Sequence, residues 1–479
     1  MRLENLRLRN FRGFNDRAFH FHPEFNLIVG ENGAGKTSVL EAAAVAIASW
    51  LLGIRGHDAR NIRKRDIRVI RDEVEGRYRE LPQYPVSIDA TGYIEIARAA
   101  REKNGGEVLF LTPENPSKPN PREQRLTWSR SLESADGRTT RSGAGSLKTI
   151  ASKMEIAALN RQPYVLPLLR YFSAGRLWES VRDTDKRALS KHKGKQPAEL
   201  AENADEIDRY LFDRSLLSEP FYGYRMSVDG RCNPSDLIRW MAFERRNEME
   251  DGNTSTALAL VYKAVGNLMP EAATVRYSGK LETLVLHKRN GQELTFEELS
   301  DGYRNIVAIV ADLAIKAAML NPQLAEKALE LTPGVVLIDE LDLHLHPRWQ
   351  RRVIEDLRRT FPKVQFICTT HSPFLIQSLR SGEELIVMDG QPTANLSDMS
   401  VEEIARGIMG VTTPQVSARY DEMKDVAFKY LETLEEAAKA PAEKLAEYKE
   451  RLATSVAPYA DNPAFQAFLE MKRAAKLGE

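Results

Sequence analysis

The strongest constraint on the fold is a glycine-rich turn near the amino terminus. An apolar run, Phe25–Val29, leads into Gly30-Glu31-Asn32-Gly33-Ala34-Gly35-Lys36-Thr37, which matches the pattern G-x-x-x-x-G-K-[ST]. Glycines allow successive backbone N–H groups to surround an anion, and the helix-compatible run Val39–Leu52 adds its dipole to the site. The order of strand, turn and helix predicts a phosphate-binding loop in an α/β fold.

The residue types of this turn have distinct predicted roles. Lys36 is expected to reach the β- and γ-phosphates of a nucleotide, and the Thr37 hydroxyl is expected to bind Mg²⁺. The other candidate contacts to the nucleotide in this turn are Gly30, Asn32, Gly33, Ala34, Gly35 and Ser38.

Composition limits the classes of protein that the chain can belong to. Its 479 residues can form two to three domains, or one domain with insertions. Lys plus Arg and Asp plus Glu both total 68, so net charge gives no indication of a nucleic-acid partner. Cys232 and Cys368 are the only cysteines, which excludes a disulfide framework and fits a reducing compartment. Since no run of uncharged apolar residues approaches the length of about 18 that spans a bilayer, we expect a cytoplasmic protein without membrane association.

Three later segments carry further candidate site residues. Leu299–Asn305, with Ser300 and Gly302, precedes an apolar helix over Ile306–Leu320. Gly334–Ile338 is an unbroken apolar strand followed by Asp339 and Glu340, and Val364–Thr370 is a second such strand followed by His371. Ligands of parallel sheets bind beyond the carboxyl ends of the strands, so Asp339 is expected to bind Mg²⁺ and Glu340 to activate water.

A basic run offers an alternative interpretation. Between Ile54 and Arg71 the cations are Arg55, Arg60, Arg63, Lys64, Arg65, Arg68 and Arg71. Such a run is usually a solvated surface, but it is also typical of a DNA-binding patch.

The rest of the chain has simpler patterns. Strands are expected at Arg2–Asn10, Ala18–Phe21, Val86–Ile88, Tyr93–Ile96, Val108–Leu111, Leu126–Trp128, Tyr164–Phe172, Val275–Leu286 and Glu384–Gly390. Helices are expected at Pro234–Glu250, Thr256–Met269, Arg419–Ala438, Ala442–Leu452 and Pro463–Lys476, and a loop at Ser134–Ser146. In the last helix, Phe465, Phe468, Leu469 and Met471 can either form a core or dock a partner.

The order of the motifs resembles that of the ABC-type ATPases. Asn10–Phe14, N-F-R-G-F, before the phosphate loop is similar to the SMC and RecF branch, and it adds Arg12 to the nucleotide-binding residues. The resemblance implies that two copies sandwich two ATP molecules. Lys36, Thr37, Asp339, Glu340 and His371 would then act in one subunit, whereas Ser300 and Gly302 would act on the ATP held by the other.

Longer segments narrow the resemblance. D-E-L-D-L-H-L-H-P at 339–347 and T-T-H-S-P at 369–373 resemble the defence ATPases related to the OLD nucleases. R-Y-F-S-A-G-R-L-W at 170–178 resembles the PtuA ATPases of Septu and some retron antiphage systems, which implies a separate HNH-type nuclease as partner. Asp301 departs from the second glycine of the transporter signature, and Gln162 precedes its strand, so no glutamine-loop role is transferred to it.

The expected fold is an α/β ABC-type P-loop NTPase with a mixed or parallel core sheet and an antiparallel β lobe. We expect an amino-terminal ATPase lobe over 1–175, a helical insertion over 176–270, a second ATPase lobe over 271–395 and a helical interaction region over 396–479. Three functions fit: an antiphage ATPase that controls a nuclease, a RecF- or SMC-like ATPase that binds DNA itself, and a nucleotide-gated scaffold with little turnover.

Overall fold

The computed structural model describes residues 1–74, 77–95, 123–177, 221–269, 272–388, 399–409, 418–439, 444–459 and 462–477. The chain divides into two compact units, Met1–Met399 and Ser400–Glu479. The predicted strand Val108–Leu111 and residues 178–220 of the predicted insertion lie outside the described residues.

A parallel sheet of five strands forms the centre of the first unit. Its strands are β3 (Phe25–Val29), β8 (Leu168–Phe172), β12 (Gly334–Ile338), β13 (Val364–Thr369) and β14 (Leu385–Val387). Their order across the sheet is β14-β3-β13-β12-β8, and every pair is parallel. Four of these strands are buried at every position, as is typical of a parallel sheet covered on both faces.

The strand after Pro167 has an edge position in this sheet. Proline lacks the N–H donor that a central strand requires, and β8 begins one residue later. The predicted α/β class with a parallel core sheet is confirmed.

An antiparallel sheet forms the predicted β lobe. Its strands are β1 (Arg2–Phe11), β2 (Phe14–His20), β6 (Val86–Glu95) and β7 (Glu123–Leu132), in the order β2-β1-β6-β7. The prediction of separate strands at Val86–Ile88 and Tyr93–Ile96 was wrong, because β6 is continuous through Gly92. A Cβ at Gly92 would lie 2.2 Å from the carbonyl oxygen of Arg2, so this glycine permits close strand approach and does not mark a turn.

Two smaller sheets complete the β structure. A hairpin of β4 (Val69–Val74) and β5 (Arg77–Pro82) begins within the last residues of the basic run and was not predicted. The other sheet contains β9 (Ala272–Ser278), β10 (Thr283–Lys288) and β11 (Glu293–Thr295), in the order β11-β10-β9.

The helices of the first unit cover the parallel sheet and the β lobe. They are α1 (Lys36–Ile47), α2 (Gly145–Leu159), α3 (Pro234–Asp251), α4 (Thr256–Leu268), α5 (Asp301–Leu320), α6 (Ala328–Leu331), α7 (Pro347–Gln350), α8 (Val353–Thr360) and α9 (Pro373–Gln377). The predicted helices at Pro234–Glu250 and Thr256–Met269 are confirmed. The loop predicted at Ser134–Ser146 ends in a 3₁₀ turn, Ser142–Ala144, that leads into α2.

Helix α1 lies between the two large sheets. It contacts β6 and β7 on one side and β12 and β13 on the other, and the indole N–H of Trp128 donates to Ala46 O at 2.9 Å. Among the described residues, Lys36–Gly53 alone is long and apolar enough to cross a membrane by length and composition. Because 83% of that stretch is buried in the protein, its apolar character is explained by packing between the sheets.

The second unit is helical throughout its described residues. Its helices are α10 (Val401–Gly407), α11 (Ala418–Ala437), α12 (Leu445–Val456) and α13 (Pro463–Leu477). Tyr430, Leu434, Leu452 and Leu469 form its core, and Phe465 packs against them. Phe468 and Met471 are exposed, so the apolar set predicted in the last helix divides between core and surface.

Candidate functional site

The phosphate loop, Gly30–Thr37, joins the end of β3 to the start of α1. Gly33 has φ +88° and Gly35 has φ +97°, a region that favours glycine. Glu31, Asn32 and Gly33 are exposed, so a ligand can approach their backbone. The loop expected from the sequence is therefore formed within a single chain.

The Lys36 side chain bonds backbone carbonyl groups of the phosphate loop. It is buried, and its Nζ donates to Gly30 O at 2.8 Å and to Glu31 O at 2.9 Å. The two carbonyl groups hold the Lys36 ammonium group at the loop. Because the lysine side chain is flexible, phosphate oxygens of a bound nucleotide can replace these carbonyl oxygens as acceptors.

Two neighbours confine the same loop. A Cβ at Gly35 would lie 2.7 Å from Phe14 Cζ, and one at Gly30 would lie 2.8 Å from Met388 Cβ. Phe14 belongs to β2, and Met388 follows β14. The β lobe and the edge of the parallel sheet thus fix the loop from two sides, which gives both glycines a packing reason.

Asp339, at the end of β12, meets Thr37 directly. The Thr37 hydroxyl donates to Asp339 Oδ2 at 2.9 Å, and the Thr369 hydroxyl donates to Asp339 Oδ1 at 2.6 Å. Burial raises the pKa of the Asp339 carboxyl, although the two hydroxyl donors oppose this shift. The structure thus brings together the two residues predicted to hold Mg²⁺.

Glu340 follows Asp339 in an unusual backbone conformation. Its φ is 50°, in the left-handed region that costs a non-glycine residue about 1–2 kcal/mol. Its N–H donates to Thr369 Oγ1 at 2.8 Å, and its side chain is half-buried. The turn places Glu340 directly after Asp339 at the carboxyl edge of the sheet, where the sequence predicted a residue that activates water.

His371 lies at the tip of the neighbouring strand β13. The residue is exposed, and its N–H lies 3.4 Å from Asp342 Oδ1. The Thr370 hydroxyl donates to the same oxygen at 2.6 Å. Asp342 therefore anchors the turn that presents His371 at the edge where Asp339 and Glu340 lie.

The signature segment, Leu299–Asn305, begins helix α5. Ser300 is the exposed N-cap residue, and its side chain makes no capping hydrogen bond. Asp301 forms an ion pair with Arg304 of the same helix. Gly302 is buried, and a Cβ there would lie 2.2 Å from His344 O. Gly302 therefore contacts its own chain, and Ser300 is the member of the predicted pair that faces solvent.

Arg12 contacts carboxylates beside the phosphate loop. Its guanidinium pairs with Glu41 of α1 and with Asp66 at 2.7 Å. These two ion pairs hold the Arg12 side chain near α1. Its role in nucleotide binding stays a prediction.

Much of the basic run is paired with acids. Arg60 is buried and pairs with Glu41 at 3.3 Å, and Arg65 pairs with the same carboxylate at 3.3 Å. The exposed Arg55 and Arg71 contact Glu155 at 3.5 Å and Glu80 at 3.3 Å, respectively. These contacts reduce the charge that the run offers to DNA phosphates, so they favour a structural role for it.

Two buried arginines had no role assigned from the sequence. Arg170, in the middle of β8, donates to Asp312 Oδ2 of α5 at 2.7 Å. Arg176, after the same strand, donates to the backbone of Asp339 at 2.6 Å. For Arg170 the available signal was an arginine inside an otherwise apolar strand, since a buried charge requires buried partners.

Comparisons with known proteins agree with this geometry. Residues 5–219 match a family model described as an AAA domain, and residues 174–377 match one described as "AAA domain, putative AbiEii toxin, Type IV TA system". The "Retron Ec83 probable ATPase" of Escherichia coli is 27% identical over 413 residues, which cover 82% of this chain and 72% of that protein.

A shorter match and a structural match complete the comparisons. "Septu protein PtuA" of Bacillus mycoides (strain KBAB4) is 35% identical over 131 residues, which cover 27% of this chain and 18% of that protein. The solved structure of the SmcHead bound to the C-winged helix domain of ScpA aligns with a TM-score of 0.40 and 16% identity, covering 79% of this chain and 92% of that one.

Proposed function

We propose, on the premise that this chain is an ATPase of the AAA/ABC type related to the retron ATPases and Septu PtuA, that it hydrolyses ATP in sites shared between two copies of itself. The observation that supports this most directly is the contact of Thr37 with Asp339 at 2.9 Å, beside the phosphate loop. It joins the phosphate loop to the acidic end of a core strand through residues 302 positions apart in the chain.

The oxygen donors at this contact suit Mg²⁺. Thr37 provides a hydroxyl and Asp339 a carboxylate, and hard cations that bind nucleotides prefer one or two such ligands with phosphates and water. In the residues that the structure describes, no three His, Cys, Asp or Glu side chains group as a protein-only metal site would require. Mg²⁺ bound here would neutralise charge on the β- and γ-phosphates.

The protein side chains would supply positioning and charge. Lys36 would exchange the carbonyl oxygens of Gly30 and Glu31 for phosphate oxygens, because its ammonium group is already held in the loop. Glu340 would accept a proton from the attacking water, and the exposed His371 would contact the γ-phosphate. Most of the catalytic effect would come from alignment and from donors directed at the developing charge.

A second copy would complete the site. Ser300 is exposed at the start of α5 without a capping bond in its own chain, so its hydroxyl is available to phosphate oxygens of a partner. Gly302 would act indirectly, because it sets the close packing of α5 on the His344 backbone.

ATP hydrolysis by purified protein tests the catalytic part of this proposal. Wild-type protein should release phosphate from ATP with Mg²⁺, Lys36→Ala should lose nucleotide binding, and Glu340→Gln should bind ATP and form a stable dimer without turnover. The exposed residues Lys280 and Glu326 provide matched controls, Lys280→Ala and Glu326→Gln. Unchanged turnover in both site variants would contradict the proposal.

The biological role that we propose is control of a separate HNH-type nuclease in antiphage defence, in the cytoplasm. It is supported by the likeness to the retron and Septu proteins.

Phage protection tests this role. The chain would be expressed with its flanking genes, as wild type, Lys36→Ala and Lys280→Ala, and plaque formation would be counted. Protection should be lost in Lys36→Ala alone, and a nuclease should co-purify with the wild-type chain. Equal protection by all three forms would contradict a nucleotide-controlled defence role.

A further inference from the structure

Arg176 is a buried cation that contacts three segments of the first unit. It is 1% exposed, and it follows β8 at the edge of the parallel sheet. Its Nη1 donates to Ser173 O at 3.0 Å and to Asp339 O at 2.6 Å. Its Nη2 donates to Glu340 O at 3.2 Å, and its Nε donates to Asn305 Oδ1 at 2.7 Å. One side chain therefore contacts the residue that follows β8, the turn at Asp339 and Glu340, and helix α5.

All four acceptors of Arg176 are uncharged. The guanidinium is 1% exposed, and its hydrogen bonds reach three backbone carbonyls and one side-chain amide, so a buried charge is held there without a carboxylate as hydrogen-bond acceptor. A fork of several fixed donors matches several carbonyl oxygens at once, which a lysine ammonium cannot do in the same planar arrangement. Burying this charge costs free energy. The cost is more consistent with a role in fixing the positions of the four acceptors than with a contribution to the stability of the fold.

The contacts of Arg176 hold a strained turn. Glu340 has φ 50°, a conformation that persists when neighbouring groups fix it. Thr369 Oγ1 accepts from the Glu340 N–H at 2.8 Å, and the Glu340 carbonyl accepts from Arg176 and from Leu343 N at 3.1 Å. Both peptide groups that flank the Glu340 side chain are thus held.

Asn305 connects the same turn to the signature segment. It is 2% exposed, it accepts from Arg176, and its Nδ2 donates to Leu343 O at 3.2 Å. One turn earlier in α5, Gly302 lies against His344 O. The start of α5 and residues 339–344 therefore pack as one body within the chain.

We propose that Arg176 is a positioning residue that holds Glu340 in its strained turn and, through Asn305, links it to the helix that presents Ser300. Contact of Ser300 with the nucleotide of a partner subunit then affects the alignment of Glu340 in the subunit that carries Ser300. Each of the two ATP sites reports its occupancy to the other through this link. The inference rests on the proposed function, since it needs Glu340 as the residue that activates water.

Arg170 provides a matched control. It is also 1% exposed, lies in β8 and contacts α5, but its acceptors are Asp312 and the carbonyls of Tyr171, Met226 and Arg231. Arg170→Lys and Arg176→Lys both replace a buried fork by a lysine, and both should lower the melting temperature. Only Arg176→Lys removes donors from the backbone of Asp339 and Glu340.

The test measures kcat, the Kd for a fluorescent ATP analogue and the Hill coefficient for ATP, all well below each melting temperature. Arg176→Lys should lower kcat by about 10- to 100-fold, the effect of a misplaced catalytic group, with Kd changed less than about twofold. Arg170→Lys should keep kcat within about twofold of wild type. Equal kcat losses in the two lysine variants would overturn the inference.

Asn305→Asp tests the link between the two ATP sites separately from the contacts that Arg176 makes with the Glu340 turn. The variant keeps an acceptor for Arg176 but loses the donor to Leu343 O, so it covers the case in which Arg176→Lys does not fold. Wild type should have a Hill coefficient above 1, and Asn305→Asp should lower it towards 1. A wild-type coefficient of 1, or an unchanged coefficient in Asn305→Asp, would overturn the link. Glu340→Gln is measured alongside, because full turnover in that variant would instead contradict the proposed function.

Discussion

The phosphate loop and the signature segment both place glycine at the start of a helix, but they use it for different reasons. In the phosphate loop, Gly33 and Gly35 have positive φ and the loop backbone is open to solvent. In the signature segment, Gly302 is buried, and its Cβ position lies 2.2 Å from His344 O. The first pair permits a backbone curve around an anion, whereas Gly302 permits contact between a helix and a neighbouring loop.

This difference shows that a motif glycine does not by itself indicate a phosphate contact. The phosphate loop is complete within one chain, with Lys36 and the Thr37–Asp339 contact already formed. The signature segment has its glycine directed at its own chain and its serine exposed. In the proposed shared site, the two regions would contribute different halves, one that holds the nucleotide and one that faces a second copy.

The largest expected effect comes from the loop side, in Lys36→Ala. Loss of a charge-bearing donor at a transferred phosphate lowers turnover by about 100-fold or more. The bonds to Gly30 O and Glu31 O place the Lys36 ammonium group in the loop, so its removal should lower nucleotide affinity as well as turnover. Titration of a fluorescent ATP analogue and phosphate release check this result, with Lys280→Ala as the control. Wild-type affinity in Lys36→Ala would contradict the assignment of the loop.

The next effect compares the two kinds of glycine. Gly302→Ala should destabilise the fold by about 1–3 kcal/mol and lower turnover, because its methyl group forces α5 away from His344. Nucleotide affinity should stay unchanged, since the loop is untouched. Gly33→Ala meets no atom within 4 Å, so its cost of about 1–2 kcal/mol arises from its positive φ.

The two variants should differ in ATP affinity. Gly33→Ala should lower ATP affinity, whereas Gly302→Ala should leave it unchanged while lowering the melting temperature at least as much. Thermal unfolding and nucleotide titration of both variants provide the measurement. If both variants lost affinity equally, the distinction between the two glycines would be wrong.

A smaller effect is expected where Asp342 anchors the turn of His371. Thr370→Val keeps the side-chain shape but removes the hydroxyl that donates to Asp342 Oδ1 at 2.6 Å. A hydrogen bond to a charged group contributes roughly 1.5–3 kcal/mol, so urea unfolding should detect the loss. Thr433→Val, which removes an exposed hydroxyl bonded within its own helix, is the matched control. Equal stability losses in the two variants would contradict the anchoring role.

The smallest expected effect is a change in pH dependence near the buried end of α5. Burial, with the nearby charges of Lys316 and Arg225, lowers the pKa of His57 from 6.5 to about 4. The unfolded chain then binds more protons between these values, so the stability supported by neutral His57 is complete above pH 6.5 and is lost as the pH falls towards 4. Urea unfolding across this window should find a shallower acid loss in His57→Gln. Parallel curves for the two proteins would contradict the burial of this imidazole beside Tyr224.

The patterns that could be predicted from the sequence depend on local chemistry. The unbroken apolar runs of β3, β12 and β13 indicate strands buried on both faces, and the carboxyl ends of parallel strands bring Thr37 and Asp339 to one edge. These features need no knowledge of distant packing.

The features that were missed depend on contacts between distant segments. Gly92 lies inside a strand and leaves room for the carbonyl oxygen of Arg2, and Gly302 leaves room for that of His344. Neither environment can be inferred from the residues next to these glycines in the chain. The same holds for Arg176, whose acceptors Asn305, Asp339 and Glu340 lie more than a hundred residues away. Tertiary packing determines the roles of these residues, and a local sequence pattern does not predict tertiary packing.

Mixing two inactive variants tests the shared site most directly. Lys36→Ala disables the loop half, and Ser300→Arg blocks the signature half while the fold and ATP binding are kept. A mixed dimer contains one site with both defects and one site with none, so an equal mixture should recover ATP turnover up to about a quarter of the wild-type value. The value is lower to the extent that the link through Arg176 and Asn305 slows the intact site when the other site is defective. A mixture that stays inactive while mixed dimers form, or full activity of Ser300→Arg alone, would contradict the account of a site completed by a second copy.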